Sequence, residues 1–301
     1  MDYLGIIKRA YYITKKHRFL WIFGIFAGGA ASFSTNWSFP GYNTSNSDWA
    51  KTFENANFNS LDFSTFWTNY GTFLIATLVV LVVIMILMFI ISLISQGALI
   101  GGVRRINQGE KSEFKSAFMI GWHNFWRVWS VGIIYLLMIL VSLCILIIPV
   151  CVLVIYESYI FAVIWGILLF FVCLAFWLLI ALISPYSFRI VVIEKLGIFT
   201  SIRESLHFFR DNWKDLIVIY LLLIAIGIGF GIALALTILI VLGIFGAIGV
   251  GLWLASPLAT IIYSCIIGVV LVAGLAIISG AYNTFTSSVM TLTYQKLSKK
   301  V

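Results

Sequence analysis

Residues able to carry chemistry are few in this chain and widely spaced. The three histidines, His17, His123 and His207, fall one in each of three basic segments. An imidazole trio invites a metal site or a proton switch near neutral pH. No HExxH, no His pair at i,i+4 and no carboxylate-rich neighbourhood accompanies them. Histidine at the basic end of a surface helix is the plainer reading. Cys144, Cys151, Cys173 and Cys265 each lie inside an apolar run without CxxC spacing. They read as small buried hydrophobes rather than a disulfide framework or zinc site. GxSxG is absent, and Gly227-x-Gly229 and Gly249-x-Gly251 follow no strand pattern, so phosphate-loop and dinucleotide readings fail. Gly227 and Gly231 instead read as a small-xxx-small pair that lets helices approach. No catalytic residue, metal ligand or cofactor is expected.

The elements that must position any site follow from composition. The chain has 301 residues, 62% of them hydrophobic and 10% charged. A soluble domain is about 45–50% apolar and about 25% charged. Too few charges remain to cover a water-soluble surface, which excludes a soluble enzyme, a nucleic-acid-binding domain and a disordered chain. A polytopic, all-α membrane protein is left. Uncharged runs cover residues 63–103, 128–156, 158–188 and 216–295. About 20 apolar residues cross about 30 Å of hydrocarbon, so the first three runs each hold one crossing. The fourth, 80 residues long, holds two, about Asp215–Ile240 and Leu258–Thr293. The connector Gly243–Ser256, glycine-rich and closed by Pro257, should lie in the outer interface or dip back under cover of other helices. Glu157 belongs to an outer turn.

Residues Phe19–Phe33, preceded by Lys8, Arg9, Lys15, Lys16 and Arg18, imitate a signal peptide. The long basic lead favours an uncleaved first helix, although 15 apolar residues are short for a crossing. Ser34–Tyr70, polar but dense in aromatic residues, forms an outer loop resembling an interfacial belt. Of the 19 basic residues, 18 fall in segments 1–18, 101–127, 186–215 and the tail; Lys51 is the exception. By the positive-inside rule both termini are cytoplasmic and six crossings follow, in the cytoplasmic membrane.

A single membrane domain, 1–301, divides into three units: 1–100, 101–185 and 186–301. Each pairs a basic, amphipathic cytoplasmic segment with an apolar hairpin. Glu110-Lys111 corresponds to Glu194-Lys195, and Asn124-Phe125-Trp126-Arg127 to Asn212-Trp213-Lys214. Phe114, Phe118, Trp122, Phe125 and Trp129 step by 4, 4, 3 and 4, as do Ile198, Ile202, Leu206, Phe209 and Trp213. Such faces either lie in the membrane interface or pack on the bundle.

This layout, with Lys15–Trp21, Asn124–Arg127 and Val191–Leu196 leading into Ser201–Asn212, resembles a loosely defined group of prokaryotic six-helix membrane proteins. The group includes the membrane portion attached to some glycerophosphodiester phosphodiesterases. The resemblance implies a fold and a membrane address, and carries no catalytic residue over.

Two sets of residues remain as candidate sites. Lys111, Lys115, Arg127, Arg203, Arg210 and Lys214, with Trp122, Trp129 and Trp213, are placed to contact anionic headgroups at the inner face. Ser95, Gln96, Ser184, Asn283 and Thr284, near the inner ends of the even-numbered helices, could converge in a cytoplasm-facing polar pocket, or simply close helix ends. The expected function is a non-enzymatic, lipid-associated integral membrane protein, with membrane lipids as partners and no nucleic acid. The alternative is a permease or channel-like transporter using the polar set.

Overall fold

A computed structural model describes residues 1–35, 63–255 and 257–298. Their backbone forms seven helices: α1 (Tyr3–Lys16), α2 (Phe19–Thr35), α3 (Phe63–Asn107), α4 (Phe114–Ile155), α5 (Tyr159–Ile193), α6 (Ile198–Ala255) and α7 (Pro257–Ser298). Helices α3 to α7 are long and apolar enough to cross a membrane. At 1.5 Å per residue they run about 50–85 Å, well beyond the hydrocarbon thickness, so each has length to spare for packing outside it.

That packing is concentrated at one end. Its largest cluster joins Ile6, Ala10 and Ile13 of α1, Leu20 and Phe23 of α2, Ala98, Leu99 and Val103 of α3, Ala117 of α4, Ile219 and Leu223 of α6, and Val289 and Leu292 of α7. A second cluster joins Tyr186 and Ile190 of α5 to Leu216, Tyr294 and Leu297, with Met1 against it. The N-terminus and the end of α7 therefore meet at the same end of the bundle. Asn107 Nδ2 donates to Gln295 Oε1 at 2.7 Å, and Tyr3 bonds Asp215, closing the same end with polar contacts.

Two crossings are closed by glycine. A Cβ on Gly280 would stand 2.6 Å from the Trp21 carbonyl oxygen, and one on Gly97 would stand 3.1 Å from the Gly121 Cα. Toward the far end the helices separate. The side chains of α3 from Phe73 to Phe89 are exposed throughout. Helices α4 and α5 stay paired, Trp177 Nε1 donating to Ser142 Oγ at 2.7 Å. Helices α6 and α7 pair through the stacked rings of Phe230 and Tyr282, 4.7 Å apart, and through Tyr263 OH donating to the Phe245 carbonyl at 3.2 Å. Among the described residues, most of the exposed far-end side chains are apolar.

Several expectations need correction. Residues 243–255 are not a connector: α6 continues through Gly243, Gly246, Gly249 and Gly251 to Ala255. Glycine costs about 1 kcal/mol in a helix, but an apolar segment without water must bond its own backbone, and the second requirement wins. The aromatic segment is also shorter than 34–70, because residues 34–35 end α2 and Phe63–Tyr70 open α3; residues 36–62 lie outside the described part. Gly227 meets the Tyr282 hydroxyl, whereas Gly231 has nothing within 4 Å, so they do not act as a pair. Of the cysteines only Cys173 is buried; Cys144, Cys151 and Cys265 sit on exposed faces, and all four are free. Glu157 does lie in a tight turn, between α4 and α5, with φ 57°.

Candidate functional site

Helix α4 enters the packed end through a capping box, in which Ser116 Oγ accepts from the Glu113 backbone N–H at 3.1 Å. It then runs unbroken from Phe114 to Ile155. Successive residues turn about 100° around the axis, so its first four turns present three distinct faces. Small residues make the core face: Ala117, Gly121, Asn124 and Val128 are buried. The aromatic stripe is on another. Phe118 is 41% and Trp122 60% exposed, and their rings stack in sequence with Phe114 at 6.3 Å steps. Only its beginning is tied inward, by Phe114 stacking on Phe23 at 4.8 Å. Bundle packing therefore accounts for the small residues and leaves the aromatic ladder outward.

A third face borders a groove of about 760 Å³, within the usual range of about 300–1,000 Å³ for ligand sites. Arg104, Arg105 and Gln108 line it from the end of α3, Glu110 and Glu113 from the turn, Lys115, His123 and Asn124 from α4, and Lys195 from beyond α5. Arg104 Nη1 donates to the Ile193 carbonyl at 2.6 Å, joining α3 to α5. Arg105 Nε pairs with Glu110 Oε2 at 2.7 Å. Lys115 and Lys195 join no ion pair among the described residues. Lys195 holds a left-handed φ of 58° just after the α5 C-cap. Four permanent cations face two carboxylates, one of them already paired, so the groove suits an anion.

The remaining expected lipid contacts are dispersed. Lys111, Arg203, Arg210 and Lys214 are exposed; Arg127 and Trp129 are half-buried, Trp129 beside Phe125 at 6.4 Å. Lys214 Nζ stands 5.6 Å over the exposed Trp213 ring. The corresponding stripe on α6 is more enclosed, Ile198 and Ile202 packing on Val131, Tyr135, Ile180 and Val191. Asn124 and Asn212, matched in sequence, both donate to the carbonyl four residues back, at 2.9 and 3.1 Å. Only Asn212 leaves helical geometry, so the start of α6 is set off by a kink while that of α4 is continuous with its long apolar stretch.

The polar set does not converge. Thr284 Oγ1 bonds the Leu20 and Gly280 carbonyls at 3.0 and 2.8 Å, and Asn283 Nδ2 the Gly24 carbonyl at 3.3 Å. Both fasten α7 to α2. Ser95 is buried, Gln96 and Ser184 are half-buried, and none of the five lines the groove. The polar convergence falls elsewhere. Ser187 Oγ shares hydrogen bonds of 2.6 Å with both Tyr135 OH and Ser205 Oγ, linking α4, α5 and α6. Arg189, 5% exposed, bonds Thr291 Oγ1 at 3.2 Å, the Ser287 carbonyl at 3.3 Å and the Pro185 carbonyl. In sequence Arg189 only ended an uncharged run; nothing local distinguishes a buried arginine from a snorkelling one. Among the described residues no three His, Cys, Asp or Glu gather as metal ligands.

Among the described residues, an all-helical architecture with five helices able to cross a membrane, and a basic groove where three of them meet, defines a class rather than a reaction. Residues 18–297 match the family of unknown function DUF7544, and the chain belongs to that family. No curated protein and no solved structure matches it.

Proposed function

We propose that this is a non-enzymatic integral protein of the cytoplasmic membrane, held against anionic lipid at the inner face by the basic, aromatic start of α4. The exposed ladder of Phe114, Phe118 and Trp122 carries the reading. Three large rings remain outward while the same helix buries alanine, glycine and valine. Aromatic rings are favoured at headgroup depth, and each nearby Lys or Arg adds about 1 kcal/mol toward an anionic leaflet. Lys111 and Lys115 stand beside the ladder and are exposed.

The N-terminus and the described end of α7 lie at the packed end, together with Arg9, Arg104, Lys115, Lys195 and Lys296. The positive-inside rule makes that end cytoplasmic. Helices α3 to α7 supply five crossings, and the shorter apolar α2 is assigned the sixth. The transport alternative loses support, because Asn283 and Thr284 are committed to holding α2.

The test uses the full chain, cysteine-free, with a fluorophore at Phe118→Cys, reconstituted with headgroup-labelled quencher lipid. Quenching should rise when the labelled lipid is anionic and decline with salt, since screening shortens to about 8 Å at physiological ionic strength. Equal quenching by neutral and anionic lipid removes the proposal.

A further inference from the structure

We propose that the groove between α3, α4 and the end of α5 binds an anionic phosphate ester carrying a free hydroxyl. The proposal rests on the lipid-surface reading only for the source of that ester, an inner-leaflet headgroup; the chemistry applies equally to a soluble ester. Two observations carry it. The first is unspent charge. Glu110 is taken by Arg105, which leaves Glu113 as the one carboxylate of the lining outside an ion pair among the described residues. Arg104 spends one N–H on the Ile193 carbonyl, and Lys115 and Lys195 have no carboxylate partner among the described residues. Three cations from three elements thus face one opening, and a guanidinium fork with two ammonium groups fits phosphate oxygens.

The second observation is Asn124. It lines the groove and is 3% exposed. Its Nδ2 donates to the Ile120 carbonyl at 2.9 Å, while its Oδ1 has no partner among the described residues. Flipping the amide would set two oxygens against each other, so the orphan atom is the acceptor. A buried acceptor left unmade is costly. A phosphate oxygen cannot satisfy it; a hydroxyl on the same ligand can. Cations for the phosphate and one acceptor for a hydroxyl select an ester such as a glycerol-bearing headgroup over a phosphocholine headgroup, whose choline hydroxyl is consumed in the ester.

Native mass spectrometry of the full-length protein in neutral detergent tests this with four probes: phosphatidylglycerol, phosphatidylmethanol (the same charge without a hydroxyl), phosphatidylcholine and soluble glycerol phosphate. Phosphatidylglycerol should be retained about ten-fold over phosphatidylmethanol, the factor that one well-placed hydrogen bond of about 1.4 kcal/mol supplies. Asn124→Leu should erase that preference, and Lys115→Gln with Lys195→Asn should lower retention of both anionic lipids. Both lysines are exposed, and asparagine tolerates the left-handed backbone at 195. Tight binding of glycerol phosphate, lost in the lysine variant, supports the site with a soluble source. Equal retention of phosphatidylglycerol and phosphatidylmethanol overturns the hydroxyl assignment. Anionic retention unchanged in the lysine variant but lost in Phe118→Ser/Trp122→Ser overturns the groove and leaves the surface reading standing. No preference of the lipids over phosphatidylcholine, with no glycerol phosphate bound, overturns both.

Discussion

Single side chains at the packed end do two different jobs, and charge separates them. Arg189 is buried among carbonyl and hydroxyl oxygens with no carboxylate in its hydrogen-bond set. It bonds one acceptor on its own helix and two on α7, tying α5 to α7 with a geometry that a planar fork meets and a single ammonium does not. Arg189→Lys should therefore lower unfolding free energy by about 1.5–3 kcal/mol, the range for hydrogen bonds to a charged group; titration of the purified protein with denaturing detergent checks it. His17 sits in the turn between α1 and α2, edge-on to Phe19 at 6.0 Å. Its burial, reinforced by the neighbouring Lys16, holds its pKa below the ordinary value. The unfolded chain then takes up the proton first as pH falls. Stability should be flat above about pH 6.5 and decline below it, and the decline should be smaller in His17→Gln. An NMR titration of His17 should show a midpoint below that of an unfolded peptide.

Among helices, the contacts that matter are those where backbones touch. At Gly280 any side chain meets the Trp21 carbonyl and Ile25, so Gly280→Ala should cost about 1–3 kcal/mol through overpacking. At Gly231 a methyl meets nothing within 4 Å. Gly231→Ala should be neutral or stabilise by up to about 1 kcal/mol, since alanine is the better helix former. Thermal melts of the two variants side by side distinguish a crossing point from a spare glycine. The starts of α4 and α6 also differ. Leu206 on α6 is exposed, but Ile198 and Ile202 are occupied by the bundle, and Glu194, Glu204, Asp211 and Asp215 dilute the basic residues there. A fluorophore at Leu206→Cys should consequently discriminate anionic from neutral lipid less than one at Phe118→Cys.

At the scale of the molecule, one end is a packed polar-and-apolar core and the other is apolar helices with little contact between pairs. The Ser158 turn belongs to the far end, and Ser298 closes α7 at the packed end. In a cysteine-free background, Ser158→Cys and Ser298→Cys should react with an impermeant thiol reagent from opposite sides of the membrane. Reaction from the same side would overturn the six-passage topology. Removal of Cys173, the one buried cysteine, is best made as Cys173→Ala to keep the α4–α5 contact close.

Composition and the spacing of charges were enough to show the helical class, the extents of α3, α5 and α7 to within about five residues, and the turn at Glu157, whereas α4 and α6 begin 14 and 17 residues ahead of the apolar spans read for them. These are local properties: a charge is costly wherever an apolar helix must hold it, so the charges themselves mark the ends. The same local logic misread Gly243–Ala255, because glycine content reports propensity while the absence of water enforces helix. Lys115, Trp122 and Arg127 were legible as members of an amphipathic segment, but which stripe faced the core was not. Between helices in lipid no hydrophobic force draws the largest residues inward, and close packing selects the smallest. The core of α4 is accordingly Ala117, Gly121 and Val128, and the aromatic ladder is left outside. The groove was out of reach for a further reason. Arg104, Lys115 and Lys195 come from three elements, and helical periodicity records the face of each without recording which helices are neighbours. Only the tertiary structure, through the Gly97–Gly121 approach and the Arg104 bond to Ile193, decides that these three cations share one opening.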